Sequence, residues 1–174
     1  MQILGVDFTC APTRRKPIAV ARGALGGGVL AIESIALLDH LDAFDALLAE
    51  PGPWVGGFDL PFGLPRALVA HLDWPTDYRA LIARVAAHER SALRAVFKAY
   101  CDARPAGAKF AHRACDRPAG SSPSMKWVNP PVAYMLHAGM PRLLAAGAHL
   151  PGLVAGDERR IALEAYPGYV ARRI

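Results

Sequence analysis

This sequence predicts an α/β protein: a mixed five-stranded sheet, flanking helices, and a helical insertion between the fourth and fifth strands. Three observations carry that expectation. Short apolar runs end on an acidic residue at Asp7, Asp59 and Glu164. Two β-forming runs flank a glycine-rich turn, and a helical pattern separates them from the next strand. A long, helical and basic segment then lies between the fourth strand and the last.

Each element has its own signal. The first strand covers about Gln2 to Phe8, and the loop after it, Thr9 to Pro17, holds Arg14, Arg15 and Lys16. Ile18–Ala21 and Val29–Ile32, on either side of Gly23 to Gly28, read as a hairpin. A phosphate-cradling glycine loop would need a helix directly after it, and none follows. From Asp39 to Glu50, the residues Leu41, Phe44, Leu47 and Leu48 mark one helical face, with Asp39 as N-cap and Pro51-Gly52-Pro53 as the stop. The fourth strand runs from Trp54 to Leu60, and prolines 61 and 65 fix the turn beyond Asp59. Pro65 suits the first turn of a helix over Arg66–Leu72.

A single longer helix is expected over about Asp77–Ala103, capped by Thr76, with Leu81, Ile82, Val85, Leu93, Val96, Phe97 and Tyr100 at helical spacing. Arg104 to Ser124 reads as a polar, basic loop. Asn129-Pro130-Pro131 opens another helix, which should break near Gly139-Met140-Pro141 before Arg142–Ala146. Arg160–Tyr166 gives the fifth strand, and Pro167 stops it.

The chain has 174 residues, enough for one domain with a substantial core, and its 53% hydrophobic and 20% charged content argues against disorder. No run approaches the roughly 20 uncharged residues of a membrane helix. Asp7 interrupts the apolar amino terminus too early for a signal peptide, so a soluble, cytoplasmic protein with no membrane partner is expected. Cys10, Cys101 and Cys115 lack metal-binding or redox spacing, and the six histidines are not paired as zinc ligands are. Charge is uneven. Nine basic residues stand against three acidic ones between Arg84 and Lys126, leaving +6 there and −1 over the remainder of a chain whose total is +5. Such a segment suits a polyanion; it also suits a solvated helix face and surface loop.

Buried strands seldom carry carboxylates without a reason. If adjacent parallel strands brought Asp7, Asp59 and Glu164 together, a hard divalent cation would relieve their mutual repulsion, so metal-assisted phosphate chemistry is expected. Two of them have a plainer reading: Asp7 as a turn-former capping backbone amides, Glu164 as an arginine partner. Lys16 and Arg113 are candidates to hold a phosphate, and Thr9 to orient a ligand oxygen or cap its own turn. Asp116 is a further metal ligand, or the partner of Arg113 in a salt bridge that closes the loop. Trp127 and Tyr166 are placed to stack on a base or to fill the core.

The phrases Gly5-Val6-Asp7-Phe8-Thr9, Gly57-Phe58-Asp59-Leu60-Pro61-Phe62-Gly63-Leu64-Pro65, Arg113-Ala114-Cys115-Asp116 and Glu164-Ala165-Tyr166-Pro167 resemble a family of predicted nucleases, domain of unknown function 429. The resemblance spans essentially the whole chain. It implies a single ribonuclease H-like domain over residues 1–174 with a basic insertion at about 66–150. It also implies hydrolysis of nucleic-acid phosphodiesters with Mg2+ or Mn2+. Asp7 would bridge two ions from the middle strand, Asp59 would hold one and Glu164 the other. Ribonuclease H-like nucleases usually continue into a final helix; with the chain ending at Ile174, that helix is expected to be missing and one sheet face exposed. Two other functions compete. One is a sugar-kinase-like or actin-like ATPase, suggested by the Asp7–Lys16 loop, and the other a non-catalytic nucleic-acid-binding module.

Overall fold

The computed structural model describes residues 1–173. Successive residues of a strand face opposite ways, and the first strand, β1 (Gln2–Asp7), alternates accordingly. Leu4, Val6 and, just beyond the strand, Phe8 are buried, whereas Gly5 and Asp7 are exposed. β2 (Ile18–Gly26) pairs antiparallel with β1, and β3 (Val29–Leu38) pairs antiparallel with β2. Gly27 and Gly28, both at positive φ, make the two-residue turn between them. A register shift at Arg22/Gly23 marks a bulge in this hairpin.

Helix α1 (Leu41–Leu48) crosses over to β4 (Trp54–Phe58), which lies parallel to β1. Phe44, Leu47 and Leu48 are its buried side. The Phe44 ring meets Phe8 at 5.0 Å and Phe58 at 6.2 Å, and Trp54 meets Phe58 at 6.3 Å. Arg22 closes this region with a two-point bond to Glu50 at 2.8 and 2.6 Å. The expected Asp39 cap does not form: His40 occupies that position, and the Asp39 carboxylate bonds the His40 ring at 2.6 Å instead.

The chain next forms α2 (Arg66–His71), α3 (Tyr78–Ala86), α4 (Arg90–Asp102) and α5 (Asp116–Ala119), followed by α6 (Val132–Ala145). The expected helix over 77–103 is therefore two helices. Asp77, not Thr76, caps the first by accepting from the Ala80 amide. α6 runs through Pro141 without the expected break, with Leu136, Met140 and Leu143 fully buried along it. The polar loop contains the short α5.

Two strands complete the sheet: β5 (Ala148–His149) and β6 (Asp157–Glu164), which begins earlier than the sequence indicates. β6 pairs parallel with both β4 and β5. The sheet thus has six strands rather than five, in the order β3-β2-β1-β4-β6-β5. A five-residue helix, α7 (Pro167–Ala171), follows β6. By its contacts the chain divides into two compact units. One comprises Met1–Leu60 with Arg142–Ala165 and holds the sheet and α1; the other comprises Pro61–Pro141 with the residues from Tyr166. The second has its own core around Leu68, Ile82, Leu93, Phe97 and Met125. Among the described residues no helix is long and apolar enough to cross a membrane.

Candidate active site at the carboxyl ends of the central strands

The register of β1 and β4 runs Gly5 against Gly57 and Val6 against Phe58. It continues one step further, because the Asp59 amide donates to the Val6 carbonyl at 2.8 Å. Asp7 and Asp59 therefore lie side by side on adjacent parallel strands and on the same face. Neighbouring strands are separated by only about 4.8 Å, so two carboxylates there repel strongly. Asp59 carries the result: its carboxyl is pushed up to about 6 by burial first, then by Asp7, then by Glu164.

Glu164 arrives differently. It pairs with Phe58, while the Ala165 amide donates to the Phe58 carbonyl at 2.9 Å. By alternation, Ala165 continues the Asp7–Asp59 row and Glu164 stands on the opposite pleat. Its charge still reaches Asp59, as the smallest of the three influences. Among the described residues, no three His, Cys, Asp or Glu side chains are grouped so as to hold a metal ion together. A pair of carboxylates nevertheless fits Mg2+, which commonly takes one or two carboxylates and fills its shell with water and phosphate oxygens.

Each aspartate is preceded, two residues earlier and on its own face, by a glycine. Gly5 and Gly57 are partners in register. A Cβ on Gly57 would stand 3.2 Å from the Ala165 Cβ, so that position is tight for any side chain. The repeated Gly-x-Asp phrase is the sequence signal that both strands present an acid beyond a bare backbone floor.

The β1–β2 loop leaves from Asp7. Thr9 is buried at its start. Thr13 and Lys16 exchange backbone bonds of 3.1 and 3.0 Å, and the Lys16 amide also donates to Thr13 Oγ1 at 3.2 Å. The resulting tight turn holds Arg14, Arg15 and Lys16 exposed.

Arg113 and Asp116 belong to the second unit. Asp116 is fully buried. It accepts from the Arg113 amide at 2.8 Å and from the Arg113 guanidinium at 2.9 and 2.8 Å, with Ser121 Oγ at 3.5 Å. That arrangement is the loop-closing salt bridge, with both carboxylate oxygens engaged. Trp127 packs on Phe110 at 5.3 Å, and Arg172 lies over the Tyr166 ring at 5.4 Å. Two polar atoms escaped the sequence reading: His112 Nδ1 and Ser124 Oγ are buried without a hydrogen-bond partner among the described residues. Nothing in their sequence context marks them; the segments that carry them meet through the Ala111 amide on the Met125 sulfur at 3.3 Å and through Phe110 on Trp127. Searches against known protein families, curated proteins and solved structures found no match.

Proposed function

We propose that this protein is a divalent-metal-dependent nuclease of ribonuclease H-like architecture, of the kind its sequence phrases resemble. The observation that carries the reading is the Asp7–Asp59 pair, in which burial first and repulsion from Asp7 second leave Asp59 with a carboxyl displaced to about 6. Displaced carboxylates at the carboxyl ends of parallel strands are where open α/β sheets place their chemistry. The strand order β3-β2-β1-β4-β6-β5 begins with an antiparallel hairpin and continues in parallel, which supports the same architecture.

Asp7 and Asp59 would hold Mg2+ or Mn2+, with Glu164 acting from the rim. Such an ion, when bound, lowers the pKa of a water and offsets phosphate charge. The protein's own contribution is threefold. Asp7 and Asp59 fix the position of the reacting centre from two rigid strands. The turn bearing Arg14, Arg15 and Lys16 supplies positive charge for the phosphate backbone. In the second unit, Arg90, Arg94 and Lys98 recur every four residues along the exposed side of α4, a stripe that suits an extended polyanion. Asp116 has no part in this reading, because Arg113 engages it.

Isothermal titration of Mn2+ into wild type, Asp7→Asn and Asp59→Asn tests the site. Binding by wild type that both variants lose is expected, and equal binding by all three removes the metal. A labelled panel of single-stranded, duplex, hybrid and junction substrates tests the reaction. Cleavage should need Mn2+ and both aspartates. Binding to the panel with no cleavage would leave a non-catalytic module.

A further inference from the structure

The sheet has two edges, and only one is blunted. At one end β5 has two residues; at the other β3 has ten and is the longest strand described. Natural edges are guarded against pairing by shortness, proline or lysine. β3 has no proline, lysine or arginine, and Glu33 is its single charge. Among the described residues no backbone–backbone bond outside the β2 ladder reaches it. Its apolar side chains stand in solvent: Val29 is 67% exposed, Leu30 49%, Ile32 60%, Ile35 69% and Leu37 66%.

The strand reads nearly the same in both directions. About the point between Glu33 and Ser34, Ile32 matches Ile35, Ala31 matches Ala36, Leu30 matches Leu37 and Val29 matches Leu38. In a regular strand, residues separated by an odd number of steps point to opposite faces, so none of these pairs would share one. The bulge changes that. Arg22 pairs with Ser34 and the next residue, Gly23, with Ile32, which leaves Glu33 as the extra residue. Leu30, Ile32, Ile35 and Leu37 therefore stand on one face, and Val29, Ala31, Ala36 and Leu38 on the other. The irregularity falls at the centre of the palindrome.

We propose that the outer edge of β3 pairs antiparallel with the same edge of a second copy, about a two-fold axis normal to the sheet beside the Glu33–Ser34 bond. A two-fold contact needs a surface complementary to itself, and directly opposed residues of a ladder share a face. One register meets both conditions. Ile32 lies opposite the partner's Ile35 and Leu30 opposite the partner's Leu37 on one face, while Ala31 meets the partner's Ala36 on the other. Charge selects the same register. It sets each Glu33 against the partner's Ser34, whose hydroxyl donates, whereas the neighbouring register that pairs Glu33 with its like opposes two carboxylates. Ten residues a side, roughly 34 Å of edge, give about ten backbone hydrogen bonds, the number an ordinary protein interface carries. The pairing extends the sheet sideways and leaves the Asp7–Asp59 face open, since Asp7 lies on β1, two strands inward.

Sedimentation equilibrium across 1–100 μM tests the association on the wild-type chain and on Ile35→Lys. The expected result is a wild-type mass that rises to twice that of the chain, and an Ile35→Lys variant of single mass with unchanged circular dichroism. Cross-linking tests the register. Leu30→Cys and Leu37→Cys are prepared separately, each with Cys115, the exposed native thiol, replaced by serine. On mild oxidation a mixture of the two should give a disulfide-linked pair of unlike chains, and neither variant alone should link to itself, because seven residues separate like positions along the ladder. If Ile35→Lys fails to fold, the mixed cross-link decides alone. A wild type that is monomeric at 100 μM overturns the proposal. So does a dimer that survives Ile35→Lys, or cross-linking of like chains in place of unlike ones.

Discussion

Asp59 is held above its ordinary titration range by three causes, each traceable to sequence position. It ends a strand whose flanking residues, Phe58 and Leu60, are buried; it neighbours Asp7; and it feels Glu164. A carboxyl raised in the folded state binds its proton more tightly there than in the unfolded chain. Its contribution to stability is therefore complete below the ordinary value of 3.8 and is lost as pH rises through about 6. Asp59→Asn should accordingly raise the Tm at pH 7.5, by an amount equivalent to about 1 kcal/mol once solvent screening is allowed for. The gain should vanish by pH 4, and thermal melts at the two pH values measure it. That Asp7 and Asp59 could be neighbours was readable from the acidic residues that end two apolar runs. The pleat of Glu164 was not. It depends on how β6 registers against β4, and β6 starts at Asp157, in a charged stretch that masks the strand. Arg113 and Asp116 read equally as ligands or as each other's partner, and only packing decides between those.

At the scale of elements, α1 is joined to the sheet through Phe44, Leu47 and Leu48. Phe44 is fully buried between Phe8 and Phe58, and replacing it leaves a cavity that two aromatic rings cannot collapse into without moving. Phe44→Ala should cost about 3–5 kcal/mol, lowering the urea midpoint with the slope of the transition unchanged. The hairpin and the first four strands were legible because glycine and proline punctuate them. The break between α3 and α4 was not, since no glycine or proline stands at Ala86–Glu89. Tertiary contacts set it. The His88 ring bonds the Arg84 carbonyl at 2.8 Å and packs on Trp74 at 5.2 Å, while the His88 carbonyl pairs with His137 Nε2 at 2.8 Å. The converse holds at Pro141, where burial of Leu136, Met140 and Leu143 keeps α6 continuous against local preference.

For the whole molecule, charge and connectivity are the properties that reach beyond any one element. The +6 carried between Arg84 and Lys126 should make nucleic-acid binding strongly salt-dependent. Reversing one member of the α4 stripe, Arg94→Glu, should weaken binding uniformly across sequences and reduce the slope of log K against log salt by about one. Fluorescence anisotropy over a salt series reads this, and an unchanged slope would detach α4 from the ligand. The connectivity has a separate effect, on how the chain is made. Trp54 of β4 pairs with Arg160 of β6, and everything between them must be translated first. At ordinary elongation rates the ribosome needs about 5–20 s for that interval. Throughout it, the nascent β4 has β1 on one flank and an open hydrogen-bonding edge on the other. A chaperone that shields exposed strands has its window of need set by the length of this insertion.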